Sequence, residues 1–330
     1  MHRRLLRGLL ALVLAGLLTS CVATPRASPA ASTAPSPSHS TAAAAPQAVA
    51  PQQRAPLPSR LAPSRPLAVG VRELNLARGA DRPLPTTVWY PAKGAAGGDV
   101  TSDAAAAAGR FPLIVLSHGL NGRPEALAPV AIRWAAAGFV VAAPAYPHTK
   151  YGAPRFDIAD VVNQPADASY VISELLALDG HDGDRLAGHI DTAAVAATGH
   201  SAGGITTTAM LSAQRDPRLR AAVVIAGALL GGAYNGPVTP VLFVHGDADP
   251  TVSYQGGQSA YQAVPWPKAF LTLVGAGHGS YLTANSAGFD QTINTTTDFL
   301  RWSLYGDSAA FGRLNGDATS AGAARWESSL

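Results

Sequence analysis

The stretch AAVAATGHSAGGITT, residues 193–207, decides the fold. Its first half is an unbroken apolar run, as a strand buried on both faces requires. Its second half continues through glycine, alanine and threonine as a helix. Between them stands G-x-S-x-G, met by Gly199, Ser201 and Gly203. With 33 glycines in 330 residues that pattern arises readily by chance, so its context has to carry the meaning. Here the context is a tight strand-to-helix turn. A nucleophile on such a turn has a strained backbone and tolerates only small neighbours, and the helix start behind it offers free amides and a positive dipole end to developing negative charge. Ser201 is the candidate nucleophile.

Outward from this turn, short β-rich runs alternate with helical ones. VGVRELNLA (69–77) and LPTTVWYPA (84–92) read as an antiparallel start, and residues 93–110 as a loop. FPLIVLSHG (111–119), GFVVAAPAYP (138–147), DTAAVAATG (191–199), RAAVVIAGAL (220–229), TPVLFVHG (239–246) and KAFLTLVGAG (268–277) read as buried strands. Helices are expected over 124–137, 160–178, 202–214 and 291–305. The alternation predicts a mainly parallel sheet covered by helices on both faces. No periodicity assigns the residues after Gly306, and the chain shows no internal repeat.

A serine hydroxyl needs a histidine base, itself oriented by a carboxylate. In this architecture both follow the serine in the chain. The strand ending at His245 and Gly246 offers Asp247 and Asp249; the H-G-x-x-D spacing favours Asp249, with Asp247 in reserve as a turn or capping carboxylate. After Asp249 the chain holds one histidine, His278, between Gly277 and Gly279, and it is the candidate base. An oxyanion hole needs two backbone donors. One is expected from Ala202, the other from Leu120, with Asn121 as second choice. His118 is expected to brace that loop, His200 to point away from the serine, and His245 to pack under the acid loop. His118, His148 and His245 lack metal-ligand spacing, so neither metal nor cofactor is expected.

With these residues in place the chain resembles the α/β-hydrolase superfamily. Within it, the chain looks most like the dienelactone-hydrolase-like group, which includes platelet-activating-factor acetylhydrolase and the cutinase-like polyester hydrolases. The resemblance covers about residues 67–306 and rests on LPTTVWYPA, LIVLSHGLNG, GFVVAAPAYPH, QPADASYVISEL, TGHSAGG, VLFVHGDADPTV and GAGHGSYL. It implies an α/β-hydrolase fold with a sheet of eight or so strands and no large cap domain. It gives Ser201, Asp249 and His278 the triad roles, and Leu120 and Ala202 the oxyanion amides. Two departures stand out: Leu120 where cutinase-like enzymes carry an aromatic, and GHSAGG where they carry GHSMGG. The implied activity is carboxylic ester hydrolysis. The alternatives are a peptidase or amidase on the same triad and a surface lipoprotein without catalysis.

The remainder of the chain bears on location. A net charge of +3 without a dense basic patch gives no reason to invoke nucleic acid. MHRRLLRGLLALVLAGLLTSC has a basic start, an apolar run too short to span a bilayer comfortably, and small residues before Cys21, so residues 1–20 read as a signal peptide. LTSC resembles the bacterial lipobox, which makes Cys21 a lipid-attachment site and the membrane a partner. Cys21 is the only cysteine, so no disulfide can support the exported product and core burial has to. Residues 21–66, rich in Ala, Pro, Ser and Thr, read as a disordered tether.

Overall fold

The computed structural model describes residue 57, residues 60–320 and residues 324–330. The signal peptide, Cys21 and most of the expected tether therefore lie outside the described residues. Ten strands form one sheet among the described residues. They are β1 (Ala68–Ala77), β2 (Pro83–Ala92), β3 (Thr101–Ser102), β4 (Phe111–Ser117), β5 (Val140–Pro144), β6 (Ile190–His200), β7 (Leu219–Ile225), β8 (Val241–Gly246), β9 (Lys268–Leu273) and β10 (Ala324–Ser329). Their order is β10-β9-β8-β7-β6-β4-β5-β2-β1-β3. From β5 to β9 all neighbours are parallel, and the antiparallel β1–β2 pair joins at β5, with β10 antiparallel on β9.

Helices cover both faces because strand residues alternate between them. Leu113, Val115, Val140, Ala142, Val195, Ala197, Val224 and Phe243 pack on one side. There they meet α2 (Gln164–Leu178), through Ala168, Val171, Ile172 and Leu175, and α4 (Tyr254–Gln262), through Ala260 and Tyr261. Ile114, Leu116, Val141, Ala196, Val223, Leu242 and Leu271 face the other way. They meet α1 (Ala128–Ala136), α5 (Phe289–Tyr305) and α6 (Ser308–Ala318). Trp134 of α1 is fully buried in this second layer and reaches Thr296 of α5 with its indole N–H at 3.2 Å. The helix that follows Ser201, α3 (Ala202–Ala209), is shorter than its sequence pattern suggests.

Four segments differ from expectation. The helix expected over 160–178 splits into a 3-10 turn, Ile158–Asn163, followed by α2, since Pro165 in the first turn has no N–H to continue a helix from behind. α4 went unread because Gly256 and Gly257 interrupt it; Ser253 caps it by accepting from the Gly256 N–H at 3.1 Å. Beyond Gly306, where no periodicity assigns the chain, α6 packs on α5 through Leu314 and Ala318, and β10 pairs with the edge of β9. The tether boundary at residue 66 also lies too late. Arg60 pairs with Asp191, the Pro63 carbonyl accepts from Arg301 Nη2 at 3.0 Å, and Leu57 and Ala62 pack on the second core layer. These residues meet the body near Asp191, at the start of β6, and near Gly138, just ahead of β5. That is the amino end of the strands.

Candidate active site

The strand order reverses at β4, which lies between β5 and β6. At such a switch point, loops leaving the carboxyl ends of neighbouring strands diverge and open a crevice. Both decisive loops leave here, and Ser117 of β4 stands beside Gly199 of β6 in the parallel register.

Ser201 follows β6 directly and caps α3 with φ 61° and ψ −121°. This backbone region is costly for any residue with a Cβ and persists only where its surroundings impose it. The glycines do so by allowing close approach. A Cβ on Gly203 would lie 2.0 Å from the Ser117 carbonyl oxygen, and one on Gly199 would lie 2.2 Å from the Gly203 oxygen. The Ser201 N–H is tied to the Ile225 carbonyl of β7 at 2.9 Å.

The loop after β4 comes up against the serine. A Cβ on Gly119 would lie 2.9 Å from Ser201 Cβ and 3.4 Å from its Oγ. His118 braces this loop, as the sequence led us to expect. Its Nδ1 donates to the Gly119 carbonyl at 2.8 Å and its Nε2 accepts from the Tyr146 N–H at 3.1 Å. Burial pushes the His118 imidazole down to about 4, which keeps it neutral as this pattern requires. The two oxyanion candidates on the loop differ. The Asn121 N–H is committed to the Thr149 carbonyl at 2.7 Å, whereas the Leu120 N–H has no partner among the described residues. Ala202 is the first residue of α3, where the N–H has no intrahelical acceptor. Beside these amides lies an apolar patch of Val161, Ala202 and Ile205, with Leu120 and Leu230 packed on it.

Asp249 lies on the turn after β8, with its side chain fully buried. Its Oδ1 accepts from the N–H groups of Thr251 and Val252 at 2.8 and 3.1 Å. Its Oδ2 accepts from His278 Nδ1 at 2.7 Å. Burial opposes ionisation, but hydrogen bonds from His245, His278 and the Thr251 amide, with the positive charge His278 can carry, hold the carboxyl well below the usual range. Asp247 is elsewhere engaged. Its Oδ1 accepts from the Gly275 N–H at 2.6 Å and its Oδ2 pairs with Arg325 at 3.1 Å, so it ties the ends of β8, β9 and β10 together.

Two histidines around the Asp249–His278 pair exceed what sequence reasoning found. His245 Nε2 lies 3.1 Å from the Val252 carbonyl and 3.3 Å from Asp249 Oδ2, so it is a donor to the acid as well as packing beneath it. The signal was present in the H-G-x-x-D spacing, but the direction of the ring was not. His200 lies against His278: their ring centroids are 4.7 Å apart, tilted by 42°. Burial, and then the nearby His278 charge, push His200 down to about 3, so it stays neutral.

The 3-10 turn Ile158–Asn163 and the start of α2 are pinned to the turn between β1 and β2. Arg82 donates through Nη1 and Nη2 to Asp160 at 2.8 and 2.9 Å and through Nε to Asp167 at 2.9 Å, and Arg78 adds a bond to Asp167 at 2.7 Å. Between β7 and β8, residues 226–240 hold neither helix nor strand, so no cap domain is inserted there. Among the described residues no group of three His, Cys, Asp or Glu side chains is placed to hold a metal ion, and no helix is long and apolar enough to cross a membrane.

A mainly parallel sheet flanked by helices, with a serine on a strained strand-to-helix turn at its switch point, is the α/β-hydrolase fold. The chain belongs to the PET hydrolase-like family, whose model matches residues 69–301, and it is a carboxylic ester hydrolase. None of the curated proteins compared matches it.

Proposed function

We propose that this protein is an exported serine esterase that works through an acyl-enzyme on Ser201, His278 and Asp249. The observation that carries the reading is the 2.7 Å bond from His278 Nδ1 to an Asp249 carboxylate that is buried, ionised and multiply hydrogen-bonded. With Nδ1 so engaged, Nε2 is the nitrogen left for proton transfer. It takes the proton from Ser201 Oγ as the oxygen attacks the ester carbonyl, and Asp249 stabilises the imidazolium that results. The carbonyl oxygen becomes an oxyanion and accepts from the N–H groups of Leu120 and Ala202. His278 then returns the proton to the departing alkoxide, and water releases the acid by the same steps.

The apolar patch of Leu120, Val161, Ile205 and Leu230 suits an acyl or aryl group held beside those amides. The lack of a cap between β7 and β8, together with family membership, supports bulky or polymeric esters as substrates. The leader and the lipobox-like LTSC support export with a lipid on Cys21. The test is hydrolysis of nitrophenyl esters from acetyl to palmitoyl, of a matched anilide, and of a polyester film, with Ser201→Ala as control. Esters cleaved by the wild type and not by Ser201→Ala are expected. Activity that survives the substitution would overturn the mechanism.

A further inference from the structure

Gln164, the first residue of α2, is completely buried, and its side-chain hydrogen bonds go to neither Ser201, Asp249 nor His278. Its amide bridges two elements. Nε2 donates to Thr149 Oγ1 at 2.7 Å, and Oε1 accepts from Thr206 Oγ1 at 2.5 Å. Thr149 and Thr206 are also fully buried, so no water competes for either bond.

Each threonine leads to one half of the oxyanion hole. The Thr149 carbonyl accepts the Asn121 N–H at 2.7 Å, and the Tyr151 N–H donates to the Gly122 carbonyl at 2.7 Å. These two bonds stitch 149–151 to the loop that carries Leu120. On the other side Thr206 lies one turn into α3, its hydroxyl 3.0 Å from the Ala202 carbonyl. The Leu120 and Ala202 amides therefore sit on separate segments of chain, and one buried amide spans the gap between the supports of both.

We propose that Gln164 is a positioning residue for the oxyanion hole, holding the loop of Leu120 and the helix of Ala202 at the separation the tetrahedral intermediate needs. The inference rests on the serine-esterase reading above. An oxyanion hole acts through donors fixed in advance of the reaction, so a shift of about 1 Å between its halves can cost on the order of 100-fold in rate. Ground-state binding of the ester, which depends on the apolar patch, should change far less.

The test uses the full-length protein and a soluble nitrophenyl ester. Gln164→Leu is expected to lower kcat about 10- to 100-fold with KM changed less than about threefold. Affinity for a boronic acid that forms a tetrahedral adduct should weaken in parallel. Thr149→Val, nearly isosteric, should reproduce the defect, and Thr149→Ser, which keeps the hydroxyl, should restore kcat. A purely structural role would lower the melting temperature without this split and without the hydroxyl-dependent rescue. Wild-type kcat in folded Gln164→Leu overturns the proposal; if that variant does not fold, wild-type kcat in Thr149→Val overturns it. Ser201→Ala run alongside separates the two levels, since activity there would sink the esterase reading itself.

Discussion

His245 Nε2 lies 3.3 Å from Asp249 Oδ2, so the carboxylate that orients His278 is itself gripped by a second imidazole. The same nitrogen is 3.1 Å from the Val252 carbonyl, which places the proton on Nε2. His245→Ala would leave a buried carboxylate oxygen and a buried carbonyl without this donor, at a cost of about 1–3 kcal/mol. We expect a lower melting temperature and a kcat reduced about tenfold, since His278 still holds Asp249. Asp249→Asn should cost far more, on the order of 10⁴-fold, because the wrong tautomer of His278 would be favoured. Equal losses in the two variants would contradict this ranking.

Gly119 tests the approach of the oxyanion loop to the nucleophile. A methyl there would meet Ser201 Cβ at 2.9 Å and the His200 carbonyl at 3.3 Å, neither of which can retreat easily. Gly119→Ala should lower kcat on short esters by about 100-fold or more while the protein still folds. Retention of full activity would mean that the loop is slack.

Arg82 joins two nearly buried carboxylates, Asp160 and Asp167. Arg82→Leu removes the cation and leaves the acids facing each other, with only Arg78 still on Asp167. Breaking a buried pair in this way costs about 3–5 kcal/mol. Thermal or urea unfolding should show that loss, and Asp160→Asn combined with Asp167→Asn in the Arg82→Leu background should recover part of it.

The C-terminal region carries a pH signature. Burial and the hydrogen bond with Asp298 push the Asp317 carboxyl above the usual carboxylate range, up to about 6. A carboxyl raised in the folded state stabilises it when protonated. Its contribution is fully present below the unfolded value and is lost as pH rises through about 6. Melting temperature should therefore fall between pH 4 and 7 by an amount that Asp317→Asn abolishes, with the variant the more stable of the two at pH 8. A parallel pair of curves would refute the linkage.

β10 extends the sheet edge on β9, and Leu314 and Ala318 of α6 join the second core layer on α5. Ending the chain at Gly306 bares the β9 edge and an apolar face of α5 together. Exposed edges template association, so light scattering should detect aggregates in the truncated protein and not in the full chain.

The parts of this fold that can be read from sequence are those whose own residues dictate their state. Continuous apolar runs mark β4, β5, β7, β8 and β9, and small residues around Ser201 mark the turn. The parts that resist have their reasons in partners. Gly257 weakens α4 as a helix, yet a Cβ there would stand 2.4 Å from His245 Nδ1, so packing under the acid loop overrode propensity. β10 has a strand's pattern only by virtue of pairing with β9, and residues 60–66 are ordered by Arg301 and Asp191, which lie far along the chain. The site divides in the same way. Ser201, Asp249 and His278 are candidates by strand ends and spacing alone, whereas the second donor on Asp249 and the Gln164 bridge depend on how side chains turn in three dimensions. The sequence ranks Leu120 ahead of Asn121 as an oxyanion candidate, and the Asn121 N–H, committed to the Thr149 carbonyl at 2.7 Å, supplies a physical reason that spacing lacks.

Arg60 and Pro63 bind the body at the amino end of the strands, and Ser201, Asp249 and His278 all lie beyond their carboxyl ends. The chain is thus fastened at one pole and carries its candidate site at the other. Grafting the domain onto a bead through the exposed Leu61 would leave the Ser201 end facing the liquid, whereas coupling through Tyr151, which is exposed and bonded to the Leu120 loop at Gly122, would cover that end.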